Sequence, residues 1–196
     1  MEIKNLNVQY SQPLIPLILS NVQYIILHHA EAVSATPEQV HQWHLANKWA
    51  GFGYNEYIRK DGTVYIGRGD HIGAQCAGMN SKSYGICCEG NYDVETKMPD
   101  AQKKALIERI RVNRRRFVNC KGVFPHSIFF ATQCPGKYFP IAEIINESEE
   151  ISVDINEALR ILVEKGVIKN PEYWLKAAQV VMWLDQLLIN FAIKIK

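Results

Sequence analysis

The sequence predicts an α/β protein with a separate helical part at its C-terminus. Short apolar or β-rich runs alternate with helical patterns through the first 145 residues, as in an α/β domain. The composition then changes at residues 146–154, where "NESEEISVD" is acidic and polar. Two amphipathic patterns follow and predict a helical hairpin. We therefore expect a first domain at 1–145, a linker at 146–153 and a hairpin at 154–196.

Local signals predict the elements of the first domain. Tyr24–Leu27 is expected to be a short buried strand. A helix follows at 36–48, because Thr36 can cap it and Pro37 suits its first position. The run "GFGYNEYIRKDGTVYIGRG" predicts a β-hairpin that turns at "KDG", where Gly62 can adopt a positive φ. A strand, a helix and a short apolar stretch are expected at 84–92, 99–119 and 127–130.

The C-terminal hairpin has its own start and stop signals. Asp154 can cap a helix that runs to Lys165 and ends at Gly166, and Asn170-Pro171 opens a second helix. The second helix carries one apolar stripe, formed by Trp174, Ala178, Val181, Leu184, Leu188 and Phe191. A covered stripe would indicate packing on the rest of the protein. An exposed stripe would favour binding to a wall polymer or formation of a homodimer.

The composition argues against several classes of function. The net charge of +2 does not indicate nucleic-acid binding, and the basic cluster at 109–116 suits a solvated helix face better than an anionic polymer. No run of eighteen apolar residues is present, so we expect no membrane span. The first residues lack the layout of a secretory signal, which predicts synthesis in the cytoplasm without a signal peptide.

Histidine and cysteine residues carry the strongest chemical signal. The first strand runs into His28-His29, and "PHSIFFATQCPG" places His126 and Cys134 eight positions apart. Imidazole nitrogen and thiolate sulfur are the usual zinc ligands, and three of them leave a position open for water, as in catalytic sites. Five cysteines without a secretory context predict free thiols or a metal-ligating thiolate. Spacing alone leaves open whether His28 or His29 is a ligand, and whether the loop binds metal at all.

Five blocks in order give a family resemblance: the run into "HH", "GYNEYIRKDGTVYIGRG", "GAQCAGMNSKSYGICCEGN", His126, and Cys134 with Pro-Gly. Over roughly residues 24–140 the chain resembles the zinc-dependent N-acetylmuramoyl-L-alanine amidases of type 2, which include peptidoglycan-recognition proteins and phage endolysins. The resemblance implies a central mixed β-sheet flanked by helices, and zinc ligands at His28, His126 and Cys134. The family's "GAH" reads "GAQ" here, so we expect Gln75 to alter substrate contacts.

The resemblance also implies catalytic residues. Tyr54, in "GYN", and Thr132, two residues before the ligand cysteine, would donate hydrogen bonds to the oxyanion that develops during amide hydrolysis. Some members carry a glutamate after "GI" as general base, but this chain has Cys87 there. Period-two alternation places Glu89 on the Cys87 face and Glu56 on the Tyr54 face. Either carboxylate could be the base, and Glu56 is preferred.

The implied activity is hydrolysis of the amide bond between N-acetylmuramic acid and L-alanine in bacterial peptidoglycan. A chain without a secretory signal fits a phage or prophage endolysin, or an autolysin, that acts on the wall after release at lysis. The alternatives are a cytosolic muropeptide-recycling amidase, which Cys87 argues against, and a non-catalytic peptidoglycan-binding protein, which the intact ligand set argues against. A purely structural zinc is a further alternative, and replacing Cys134 would then unfold the domain.

Overall fold

The computed structural model describes residues 1–149, 155–180 and 184–195 and divides the chain into two compact units, Met1–Ser148 and Glu149–Lys196. The predicted cap at Asp154, half of the predicted linker (150–153) and Val181 of the apolar stripe lie outside the described residues. No helix within the described ranges is both long enough and apolar enough to cross a bilayer.

A six-stranded mixed sheet forms the centre of the first unit, with the order β1-β4-β3-β5-β2-β6. Only β3 and β4 pair antiparallel; the other neighbours are parallel. This confirms the predicted α/β fold with a central mixed sheet. The strands are β1 (Ile3–Asn5), β2 (Tyr24–His29), β3 (Glu56–Ile58), β4 (Val64–Ile66), β5 (Ser83–Cys88) and β6 (Gly122–Pro125).

Helices cover both faces of this sheet. The larger apolar cluster joins one face to α2 and α3, through side chains such as Leu27, Leu106 and Ile144. A smaller cluster on the other face joins Tyr57 and Cys87 to the start of α1. The three helices are α1 (Pro37–Ala46), α2 (Asp100–Arg116) and α3 (Ile141–Ser148).

Local sequence signals fix the start of α1 and the β3–β4 turn as predicted. The Thr36 hydroxyl accepts a hydrogen bond from the Gln39 N–H at 3.2 Å, and the Gln39 side chain accepts one from the Thr36 N–H at 2.8 Å. This reciprocal pair satisfies two N–H groups that the helix itself cannot bond. In the hairpin, Gly62 has a φ of +85°, which costs glycine little.

The predicted linker at 146–153 is wrong at its start. Residues 146–148 belong to α3, in which Ile144 is fully buried against the core and Ser148 is buried at the helix end. The apolar spacing of Ile141, Ile144 and Ile145 gives the helix one face to bury, so it extends into the acidic stretch. The boundary between the two units falls after Ser148.

The second unit has helices α4 (Ile155–Glu164), α5 (Pro171–Val180) and α6 (Leu184–Ile195) in its described part. The predicted second helix is therefore described in two stretches, α5 and α6. Of the predicted stripe, Leu188 is buried and Trp174 and Leu184 pack against the same cluster. Phe191 remains 46% exposed, and the neighbouring Ala192 is buried in its place. Three of the five described stripe residues thus pack within this unit.

Candidate metal centre and active site

The three predicted ligands meet where parallel strands end. His28 lies near the carboxyl end of β2, and His126 follows directly after β6. Strands β2 and β6 are parallel neighbours, with Leu27 paired to Pro125, so both histidines emerge at the same edge of the sheet. Their ring centroids lie 4.5 Å apart. Cys134 reaches this point from the loop that follows.

The donor atoms of these residues converge. One nitrogen from each of His28 and His126 and the sulfur of Cys134 lie within 4.8 Å of one another. The His28 Nδ1 atom is 3.7 Å from the Cys134 Sγ atom. Among the described residues, the buried His126 Nε2 atom has no hydrogen-bond partner. Two imidazoles and one thiol with an orphaned buried nitrogen fit a zinc ion.

Backbone hydrogen bonding, a ring contact and a glycine turn hold the loop that carries two of these donors. The Ser127 N–H donates to the Cys134 carbonyl at 3.0 Å, which closes the loop on itself. The Phe130 ring stacks on the His126 ring, with centroids 5.7 Å apart. After Cys134 the chain turns at Gly136, where φ is +98° and a Cβ atom would lie 2.6 Å from the Tyr92 backbone. Glycine is required here because any side chain would strain the turn.

Burial sets the protonation of the donors. It lowers the pKa of His28 to about 3, with a smaller contribution from His126, and it also lowers the pKa of His126. Both rings are therefore neutral near pH 7, which is the form that binds a metal. Burial also raises the pKa of the Cys134 thiol to about 12. Without a metal this thiol keeps its proton, so metal binding must release it.

His29 does not belong to this cluster. It follows His28 in β2 and therefore points to the opposite face of the sheet. Its Nδ1 atom accepts a hydrogen bond from the Tyr92 N–H at 3.1 Å, and its Nε2 atom is 3.9 Å from the Asp93 carboxylate. Of the adjacent histidines, the geometry selects His28.

Tyr54 and Thr132 lie beside the donors. The Tyr54 ring centroid is 5.1 Å from that of His28. Burial, reinforced by the Cys87 and Cys134 thiols, holds the pKa of Tyr54 well above its usual range, so the hydroxyl keeps a proton to donate. The Thr132 hydroxyl accepts the Cys134 N–H at 3.2 Å, a contact that leaves its own proton available.

The predicted placement of Glu56 is wrong. Its carboxylate is fully buried and accepts two hydrogen bonds from Arg109 of α2, at 2.8 and 2.7 Å. Asn113 and Tyr84 donate two more, at 2.9 and 3.0 Å. Glu56 therefore faces α2, whereas Tyr54 packs with Phe52 on the other side of the sheet. A carboxylate held in this way is a structural anion and is not placed as a general base.

Irregular strand pairing explains why period-two alternation predicted the wrong face for Glu56. Strand β3 begins only at Glu56, so Tyr54 lies before it. The Gly67 and Gly69 N–H groups both donate to the Asn55 carbonyl, at 2.9 and 3.1 Å, instead of following a regular ladder. Such a break changes which face the preceding side chain points to.

Glu89 is likewise engaged away from the donors. Its Oε1 atom accepts the Ala35 N–H at 3.1 Å and the Ser34 hydroxyl at 3.2 Å, just before α1. Its Oε2 atom accepts Arg59 Nε at 2.6 Å and the Lys60 N–H at 3.0 Å. Burial alone would raise the pKa of Glu89, but these hydrogen bonds outweigh it and lower the pKa. Glu89 ties the segment before α1 to the residues that follow β3 and is not placed as a base.

Comparison with known proteins places this geometry in a family. Residues 19–137 match the family model of N-acetylmuramoyl-L-alanine amidase. The chain belongs to this amidase family. A solved amidase, LysC from Clostridium intestinale URNW, is 32% identical with a TM-score of 0.67, and the match covers 74% of this chain and 95% of that one.

Two further relatives of the amidase domain come from different kinds of organism, a phage and an insect. The endolysin of Klebsiella phage KP32 is 38% identical over 90 residues, which is 41% of this chain and 60% of the endolysin. Peptidoglycan-recognition protein SC1a of Drosophila melanogaster is 32% identical over 128 residues, which is 60% of this chain and 69% of that protein. The amidase domain is therefore similar both to a phage lytic protein and to an animal recognition protein.

A cleft of about 380 Å³ adjoins the donors of the amidase domain. Trp49 and Phe130 line it and are 46% and 50% exposed, and His126 and Gln75 form part of its wall. Gln75 also hydrogen-bonds the His28 ring. No sequence motif marks Trp49 or Phe130, since each is an isolated aromatic residue in a loop.

Two helix histidines also have a role that was not predicted from the sequence. His41 Nδ1 accepts the Phe52 N–H at 3.0 Å, and His44 Nδ1 accepts the Gly53 N–H at 2.9 Å. The His44 ring also packs 5.5 Å from that of Tyr54. These histidines anchor the segment that leads into Tyr54 and so position its hydroxyl. Their spacing of three residues on one helix face was the available signal.

Proposed function

We propose that this protein is a zinc-dependent amidase that cleaves the amide bond between N-acetylmuramic acid and L-alanine in bacterial peptidoglycan. The convergence of the His28, His126 and Cys134 donors around an unpartnered nitrogen carries the proposal. Membership of the amidase family and the likeness to LysC of Clostridium intestinale support it. Three ligands are typical of catalytic zinc, whereas structural sites usually have four.

A zinc ion held by these residues would supply Lewis-acid activation of the amide carbonyl and of water. The other contributions come from the chain itself. Tyr54 stays protonated because of its burial, so its hydroxyl can donate to the developing oxyanion. Thr132 can donate as well, and one such donor is typically worth about 10²–10³ in rate. The exposed faces of Trp49 and Phe130 offer apolar surface beside His126 for the substrate.

The biological setting we propose is lysis of a bacterial wall. The protein would be made in the cytoplasm as a phage or prophage endolysin, or an autolysin, and would reach the wall after release. The endolysin of Klebsiella phage KP32 and the endolysin-type amidase LysCS of Clostridium intestinale URNW, which is 33% identical, support this setting.

For the second unit we keep two proposals, wall binding and homodimerisation. Tyr173, Leu187 and Phe191 remain exposed on its helices, which leaves apolar surface for either role. Truncation after Ser148 tests both. Loss of wall sedimentation would support targeting. A change from a dimeric full chain to a monomeric truncated chain in size-exclusion chromatography would support the dimer. Retained wall sedimentation would refute targeting, and an unchanged number of subunits would refute the dimer.

Digestion of purified Gram-positive cell walls tests the activity. We expect new N-terminal alanine without new reducing sugar, lost with a chelator and restored by zinc. Cys120→Ser is a matched control for changes at Cys134, because Cys120 is also a half-buried free thiol but is not one of the three donors. Wall binding without new chain ends would refute the amidase and favour a recognition protein. New reducing sugar would indicate a glycosidase instead.

A further inference from the structure

Gln75 is a buried side chain that contacts the His28 ring at Nε2, whereas Cys134 lies next to Nδ1. Its Oε1 atom hydrogen-bonds the His28 Nε2 atom, while the His28 Nδ1 atom faces Cys134 Sγ at 3.7 Å. Its Nε2 atom donates to the Ser83 hydroxyl oxygen at 2.8 Å. We propose that Gln75 is a positioning residue that fixes the tautomer and orientation of His28, so that Nδ1 presents its lone pair to the metal. For the metal itself this inference rests on the proposed function.

Gln75 belongs to a series of hydrogen bonds that runs from His28 to the Met79 carbonyl. The direction of each bond in this series follows from the carbonyl at its end. The Ser83 hydroxyl donates to the Met79 carbonyl at 2.8 Å, and a carbonyl can only accept. Ser83 must therefore accept from the NH₂ group of Gln75, which turns the carbonyl oxygen of Gln75 toward His28. Because that oxygen can only accept, the proton of the neutral His28 ring must be on Nε2. Nδ1 is then unprotonated and free to bind a metal.

Packing prevents the Gln75 side chain from moving away. Gly85 lies against it in β5, and a Cβ atom there would be 2.6 Å from Gln75 Cγ and 2.8 Å from its Cδ. The Gln75 backbone N–H is held by Asn80 Oδ1 at 2.9 Å. Gly85 thus provides the space that this amide occupies, and Asn80 fixes its backbone. The arrangement is a built support rather than a chance contact.

The physical consequence concerns metal affinity more than substrate contact. A histidine ligand that is already in the correct tautomer and orientation loses less free energy on binding. Removing such a partner typically costs about 10- to 100-fold in metal affinity. Gln75 also lines the cleft, so activity alone would not separate this role from a contact with substrate.

The test uses the chain of 196 residues and two readouts that need no substrate. Nitrogen-15 NMR of histidine-labelled, metal-free protein reports which ring nitrogen of His28 carries the proton. Competition with a chromophoric chelator reports zinc affinity. The variants are Gln75→Leu, which cannot accept a hydrogen bond, and Gln75→Glu, which can. Gln42→Leu on the exposed face of α1 is the matched control.

We expect the wild type and Gln42→Leu to hold the Nε2-protonated tautomer. Gln75→Leu should mix the tautomers and weaken zinc binding about 10- to 100-fold. Gln75→Glu should recover most of the affinity. If Gln75→Leu does not fold, Gly85→Ala supplies the test, since its Cβ must displace the same amide.

Two results would overturn the proposal. One is a wild-type His28 protonated on Nδ1. The other is a folded Gln75→Leu variant with unchanged tautomer and zinc affinity. A wild type that holds the expected tautomer but binds no zinc would refute the proposed function and leave the assignment of the Gln75–His28 contact standing.

Discussion

Replacing Glu56 by glutamine separates two interpretations of this residue. The sequence favoured it as a general base, whereas the structure buries it against Arg109 with four hydrogen bonds. Glu56→Gln removes the charge and leaves the guanidinium of Arg109, itself 8% exposed, without its hydrogen-bonded carboxylate. Breaking a buried ion pair from one side costs about 3–5 kcal/mol. At about 2–4 °C per kcal/mol for a protein of this size, the melting temperature should fall by roughly 6–20 °C.

Thermal unfolding by circular dichroism measures this shift, and wall hydrolysis well below the transition measures activity. We expect the folded variant to keep substantial activity, because Glu56 faces α2 and not the metal donors. Glu2→Gln is the matched control, since Glu2 forms an exposed ion pair with Lys4, a class of pair worth about 0–1 kcal/mol. An unchanged melting temperature together with lost hydrolysis would refute the structural role and restore the general base.

Three other predictions concern single side chains. Tyr54→Phe should slow hydrolysis about 10²–10³-fold at unchanged zinc affinity, measured by chelator competition; weakened zinc binding would argue against its role as an oxyanion donor. Cys134→Ser should lose zinc and hydrolysis but keep the circular dichroism spectrum of the metal-free wild type, whereas an unfolded variant would indicate a structural metal. Because the pKa of Glu89 is lowered in the folded state, its stabilising contribution is complete above the usual glutamate pKa of about 4.3 and is lost as the pH falls through the folded value. Urea unfolding should therefore show a larger loss of stability between neutral pH and about pH 3 for the wild type than for Glu89→Gln, and equal losses would contradict this linkage.

Features set by neighbouring residues were predictable from the sequence. The cap formed by Thr36 and Gln39 and the turn at Gly62 depend on a few consecutive positions, and both occur where they were expected. The residues proposed as ligands were found through the order of five motif blocks. The order of the blocks indicates which residues far apart in the sequence come together, whereas the spacing within one block does not. The donor atoms of His28 and Cys134 do converge.

Contacts between distant positions were not predictable in the same way. Glu56 meets Arg109 across 53 positions, and Gln75 meets His28 across 47. Period-two alternation along a strand cannot reveal the irregular pairing at Asn55, which turns Tyr54 to the other face of the sheet. The predicted start of the linker was wrong for a related reason. The isoleucines of α3 contact a core that is distant in the sequence, and these contacts extend the helix into the acidic stretch.

The distance along the chain between the donors has a consequence for folding kinetics. His28 and Cys134 are separated by 106 positions, and His126 reaches them only once β6 has paired with β2. Contacts of this range require loop closure and non-local strand pairing, which are slow steps. The three-donor cluster should thus be among the last features to form on refolding. Metal uptake would then serve as a probe of completed topology and lag behind the formation of α2, whose hydrogen bonds are local.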